Sequence, residues 1–135
     1  MASASAKKIR PKYLSLPALL FEIRLPVPGW VSILHRISGA LLFFPFAVLL
    51  LCLLDTSLAT EQGFDKVRTD YLQLLPVKLV LLVFIWSYCH HFCAGIRYLL
   101  LDLDIGVDLK TARITSWIVI VAGLALTAIF GTRLW

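Results

Sequence analysis

Charge is scarce in this chain. Only 16% of its 135 residues are Asp, Glu, Lys or Arg, 60% are hydrophobic, and mean hydropathy is +0.88, which leaves too few charges for the surface of a soluble domain of this size. That excludes an ordinary cytosolic enzyme, because so small a domain has too little interior to hide that many apolar side chains. The solvent they face is a bilayer. Cysteine is sparse too: Cys52, Cys89 and Cys93 all lie inside apolar runs, where they suit packing, so no disulfide is expected and no cysteine series is spaced for an iron–sulfur cluster. A glycine-rich dinucleotide fingerprint is missing, as are internal repeats and the Pro/Gly-broken helix pair of a transporter. The net charge of +5 and pI of about 9.4 would invite a nucleic-acid partner in a soluble chain; here membrane topology explains them, and no nucleic acid is expected.

Residues 1–29 read as an N-terminal arm. Its first part is small and basic with nothing to bury, and Pro11, Lys12 and Pro17 interrupt the apolar run that a cleaved secretory signal needs. Leu16, Leu19, Leu20 and Ile23 recur at helical spacing after Ser15, which predicts a short helix over residues 14–24 lying along the membrane surface. The Pro26 and Pro28 pair with Gly29 should then break any helix. Residues 30–54 contain only His35 and Arg36 as charge-capable groups and are long enough to cross a hydrocarbon core of about 30 Å at ~1.5 Å per residue. A polar loop over 55–73, a second span over 74–101, a turn-rich loop over 102–111 and a third span over 112–132 complete an all-α, integral membrane architecture of three transmembrane helices. So small a bundle should pack against a partner anchor subunit as well as membrane lipid.

Basic residues set the orientation. Lys7, Lys8, Arg10, Lys12 and Arg24 of the arm lie on the same side as Lys110 and Arg113, with only Lys66, Arg68 and Arg133 opposite, so the N-terminus should be cytoplasmic and the 55–73 loop periplasmic. Lys78 sits near a helix end, where it snorkels.

Ionisable groups inside a span cost on the order of 3 kcal/mol each and call for a partner or a job. His35, Arg36, His91 and Arg97 are such groups. Ser32, Arg36 and Gly39 stand at i, i+4 and i+7, placing a hydroxyl, a guanidinium and bare backbone on one stripe that suits a polar ligand head; the bland alternative is an arginine snorkelling to lipid phosphate. His91, Gly95, Tyr98 and Asp102 form a second stripe, with a glycine one turn from an imidazole able to ligate haem iron. His90 points about 100° away, on a face with Ala94 and Arg97. Both histidines cannot serve one iron, and geometry alone does not choose; either one equally fits a hydrogen bond to a neighbouring helix. Zinc fits poorly, since Cys89 and Cys93 face one side while the histidines splay. An ion or proton carrier is a further rival for buried Arg and His.

Taken together, the clusters resemble the cytochrome b556 family of succinate dehydrogenase anchors. The matching features are Arg10-Pro11 followed by Leu14, the run from Ser32 to Gly39 reading S-I-L-H-R-I-S-G, and Gly95-Ile96-Arg97 with Asp102 closing the helix. The resemblance covers nearly the whole chain. It implies that His91, four residues before Gly-Ile-Arg, is an axial ligand of haem b shared with a second anchor subunit that supplies the other histidine. It also implies ubiquinone binding by Ser32 and Arg36, haem propionate contacts from His35 and Arg36, and a place in the inner (cytoplasmic) membrane. One departure is Tyr98, where many relatives carry histidine; the axial position is untouched by it. Flavoprotein and iron–sulfur subunits would be soluble partners, leaving this chain no catalytic residue for succinate itself. A haem-free structural anchor and a fumarate reductase anchor are the alternative readings.

Overall fold

The structure, a computed structural model, describes residues 25–135; the expected surface helix over 14–24 and most of the basic arm lie outside the described residues. Among those residues the chain is helical throughout: α1 (Val27–Ala59), a short α2 (Glu61–Lys66), α3 (Leu75–Asp102) and α4 (Leu109–Gly131). Of these, α1, α3 and α4 are long and apolar enough to cross a membrane. The 33 residues of α1 exceed the ~20 that a bilayer requires, so this helix tilts or projects beyond the hydrocarbon.

The ends of the helices follow local chemistry, in one place against expectation. Residues Val27 and Pro28 do not break the chain; they open α1, with Pro26 as the extended N-cap and Pro28 in the first turn. Proline is tolerated there because the first amides of a helix have no intrahelical acceptor, so its missing N–H costs nothing. Proline in mid-helix is different. Pro45 sits in a widened π-turn over Leu42–Phe46, which accommodates a ring that an ordinary turn would press into the carbonyl four residues back. The 55–73 connection is also less irregular than its polarity predicts: Thr60 caps α2 by accepting the Gly63 amide at 2.9 Å, and a π-turn covers Val67–Tyr71.

Helix α3 ends in a Schellman turn. The Ile105 and Asp104 amides donate to the Leu100 and Leu101 carbonyls, both at 3.0 Å, while Asp104 takes the left-handed conformation at φ 59° and Gly106 follows at φ 78°. Asp108 then caps α4, accepting the Thr111 amide at 2.9 Å, and this hydrogen bond holds its carboxyl below the usual carboxylate range.

Helix α3 packs on both other long helices, most extensively on α4, and α1 also touches α4. The bundle is built inside out relative to a soluble domain. Large apolar side chains face outward, with Phe43 83% exposed. The interior is small and polar: Ser38, Ser87, Ser116, His90 and Arg97 are buried beside Val31, Ala94 and Val119. Lipid tails are as apolar as leucine, so helices associate through close backbone approach and polar contacts in place of hydrophobic burial. Gly123 of α4 shows the approach directly, since a Cβ there would lie 3.3 Å from the His90 Cα. Two hydroxyls of α4 are absorbed locally, Ser116 donating to the Ala112 carbonyl at 2.7 Å and Thr127 to that of Gly123 at 2.6 Å.

Candidate functional site

The two sequence clusters meet where α1 enters and α3 leaves the bundle. His35 of α1 and His91 of α3 stack with ring centroids 4.1 Å apart and an interplanar angle of 12°. Tyr98, two turns along α3, closes on His35 with centroids at 5.0 Å. His91 Nδ1 lies 3.1 Å from the backbone carbonyl of His35 and 3.3 Å from Ser38 Oγ, and Ser38 itself donates to that carbonyl at 2.9 Å. A carbonyl only accepts, so Nδ1 carries the proton and donates. The Nε2 of a neutral imidazole is then a bare lone pair, and it makes no hydrogen bond among the described residues.

Gly39 makes this arrangement sterically open. A Cβ at that position would lie 2.9 Å from His91 Cε1 and 3.3 Å from Nδ1, so this edge of the imidazole sits in the space that the missing side chain leaves on α1. Gly95 contributes a second bare patch, with His35 Nε2 3.9 Å from where its Cβ would be. The two glycines differ in consequence. Gly39→Ala should destabilise the chain by about 1–2 kcal/mol, overpacking outweighing the gain in helix propensity, whereas Gly95→Ala should gain up to about 1 kcal/mol. Denaturant unfolding of the haem-free chain in detergent reads both; equal effects would refute the close approach at Gly39.

The neighbouring histidine has a different environment. His90, 2% exposed, sets its backbone and Cβ against Gly123 of α4, and its ring stacks on Trp86 with centroids at 5.5 Å. On the same side Arg97 Nε donates to Thr115 Oγ1 at 3.1 Å, and Nη2 reaches the Ala112 carbonyl at 3.5 Å. The two histidines differ in burial: His90 is packed inside the bundle, while His91 is half-buried in the groove between α1 and α3.

Of the other singled-out residues, Gly39 faces His91, Ser32 is half-buried and Arg36 is exposed on α1. Neither Ser32 nor Arg36 makes a side-chain hydrogen bond to the histidine pair among the described residues. Asp102 is exposed at the end of α3. Sequence reasoning missed three features. One is the Ser38 contact to His91, signalled by Ser38 standing one turn after His35; another is Thr115 as partner of Arg97. The third is a set of buried polar atoms without partners, His35 Nε2, Tyr98 Oη, Ser87 Oγ and His90 Nε2. Two of these, on His35 and Tyr98, belong to the groove, where a polar group from outside the chain would satisfy them.

The donor set therefore fits a haem: one imidazole with its tautomer set by a backbone carbonyl, an unengaged Nε2, bare backbone at Gly95, and orphaned polar atoms beside them. Among the described residues no group of three His, Cys, Asp or Glu side chains gathers that would hold a metal ion without outside ligands.

Known proteins are similar to this chain. Residues 8–130 match the family model described as succinate dehydrogenase/fumarate reductase transmembrane subunit. The chain is 36% identical over 104 residues, 75% of its length and 77% of the relative's, to the succinate dehydrogenase cytochrome b556 subunit of Rickettsia prowazekii (strain Madrid E). It is 34% identical over 104 residues, with the same coverage, to that of Rickettsia typhi (strain ATCC VR-144 / Wilmington). The subunit of that name from Coxiella burnetii (strain RSA 493 / Nine Mile phase I) is 28% identical over 116 residues, 86% of this chain and 92% of the relative. With three apolar helices and a family match running from the arm to the end of the third, this chain belongs to the succinate dehydrogenase/fumarate reductase transmembrane subunit family.

Proposed function

We propose that this chain is the cytochrome b anchor of a succinate:quinone oxidoreductase, holding half of a bis-histidine haem b and part of the ubiquinone site. The observation that carries this reading is His91, whose Nδ1 is tied to the His35 carbonyl at 3.1 Å while Nε2 is left unengaged beside bare Gly39. Metal-bound histidines are held in just this way, the second nitrogen donating to a fixed acceptor that sets tautomer and ring orientation. His91 would be this chain's ligand to the haem iron, and the other histidine would come from a second anchor subunit. Held by two histidines, such a haem would supply one-electron storage or transfer and no oxygen activation.

The remaining roles fall to side chains around the same level of the bundle. His35 and Arg36 would hold the propionates, where a guanidinium offers fixed donors and permanent charge to a carboxylate. Ser32 and Arg36 take the quinone head. Negative charge grows on the quinone oxygens as electrons arrive, and a hydroxyl donor with a permanently protonated guanidinium stabilises that charge most strongly where water is excluded. Electrons come from soluble flavoprotein and iron–sulfur subunits docked at the cytoplasmic face of the inner membrane, the side that holds the N-terminus. Succinate is not handled by this chain. Reaction in the opposite sense, as a fumarate reductase anchor, needs no change in these residues, because direction follows from the potentials of the quinone and the acceptor.

A dithionite-reduced minus oxidised absorption spectrum of the purified complex tests the proposal. A b-type difference spectrum with one haem per anchor pair is expected; intact complex without iron porphyrin would leave a structural anchor only.

A further inference from the structure

Arg97 is a charge in an unusual place. Its side chain is 7% exposed, five residues before the end of α3, and both of its protein acceptors are neutral, the Thr115 hydroxyl and the Ala112 carbonyl. Guanidinium does not deprotonate in proteins, so a full positive charge stands inside the bundle with no carboxylate beside it among the described residues. Its one ring contact points toward the groove: the guanidinium carbon lies 5.4 Å from the Tyr98 ring centroid. Tyr98 in turn lies 5.0 Å from His35, and His35 4.1 Å from His91. Six residues separate Arg97 from His91, ~9 Å of helix rise.

We infer that Arg97 is a positioning charge for the redox balance of a haem held at His91, biasing the one-electron ferric/ferrous couple toward the ferrous form. The inference rests on the haem reading given above. Its physical basis is that reduction lowers the charge of the iron centre by one, so a nearby fixed cation favours the reduced state. For a unit charge on the order of 12 Å away at an effective dielectric constant near 20, the interaction corresponds to roughly a tenfold shift in the ferrous:ferric ratio, which for a one-electron couple is 59 mV. The aspartates nearby do not cancel it. Asp102, Asp104 and Asp108 are all exposed, as are Lys110 and Arg113, so water and salt screen them, whereas the buried guanidinium is screened little.

Redox titration of the intact complex with mediators, the electron coming from the poising reductant, tests the inference by absorbance. Arg97→Gln should lower the ferrous:ferric ratio about tenfold at fixed poise, and Arg97→Lys, which keeps the charge, should restore most of it. Thr115→Asp reaches the same end without touching the arginine, because a carboxylate at 3.1 Å range from Nε neutralises it; this variant decides the matter if Arg97→Gln fails to assemble. An unchanged potential in Thr115→Asp, or in Arg97→Gln with its haem spectrum intact, overturns the inference alone. A wild-type complex lacking haem overturns the underlying reading and this inference with it.

Discussion

Replacing His91 by alanine should abolish the b-type difference spectrum of the assembled complex. The side chain has no ready substitute among the other histidines: His35 Nε2 is itself buried and without a partner, and His90 is enclosed in the bundle. His90→Ala is the informative control. It removes an imidazole one residue away, so any general damage to α3 would appear in both variants. Its expected cost is about 2 kcal/mol of stability through the cavity left between α3 and α4, with the haem spectrum retained. An unchanged spectrum in His91→Ala, or its loss only in His90→Ala, would refute the assignment.

The second large effect is expected at Arg36. Removing a preorganised donor from a site of developing negative charge costs about 10²–10³ in rate, so Arg36→Leu should depress quinone reduction by that order. Electron transfer from succinate to an artificial soluble acceptor, which leaves the iron–sulfur subunit before reaching the membrane, should be unchanged. Arg36→Lys keeps the charge but not the planar fork, and should recover part of the loss. Equal loss of both activities in Arg36→Leu would assign the residue to assembly and not to the quinone site. The exposed position of Arg36 on α1 makes this a sharp test, since little of the fold depends on it.

Much of the architecture could be read from composition and periodicity. Three apolar runs separated by polar stretches are read as three helices because the bilayer leaves the backbone no other way to satisfy its polar groups. The errors lie at boundaries. Pro26 to Gly29 looks like a break because proline and glycine are helix breakers in mid-helix, but the same residues start a helix equally well, and only their place relative to the first hydrogen-bonded turn separates the two outcomes. Pro45, unremarked in a long apolar run, widens a turn without ending the helix, because in a span the cost of breaking it would be greater. The 55–73 stretch is polar by composition yet partly helical, its caps being local and short.

At the site, the sequence by itself identified which residues are out of place in hydrocarbon: His35, Arg36, His91 and Arg97, with Gly39 and Gly95 on the stripes beside them. Periodicity also separated His90 from His91 by about 100°. It did not say which of those two directions leads to another helix and which to a groove, because a helix has no preferred rotation until its neighbours are in place. The tertiary structure decided that. It set the α3 backbone at His90 against Gly123 of α4 and aimed Arg97 at Thr115, and it brought the His35 carbonyl, 56 residues away in the chain, to the nitrogen that sets the tautomer of His91. Contacts of that range depend on where three helices cross, which is settled by the small residues that let their backbones close together.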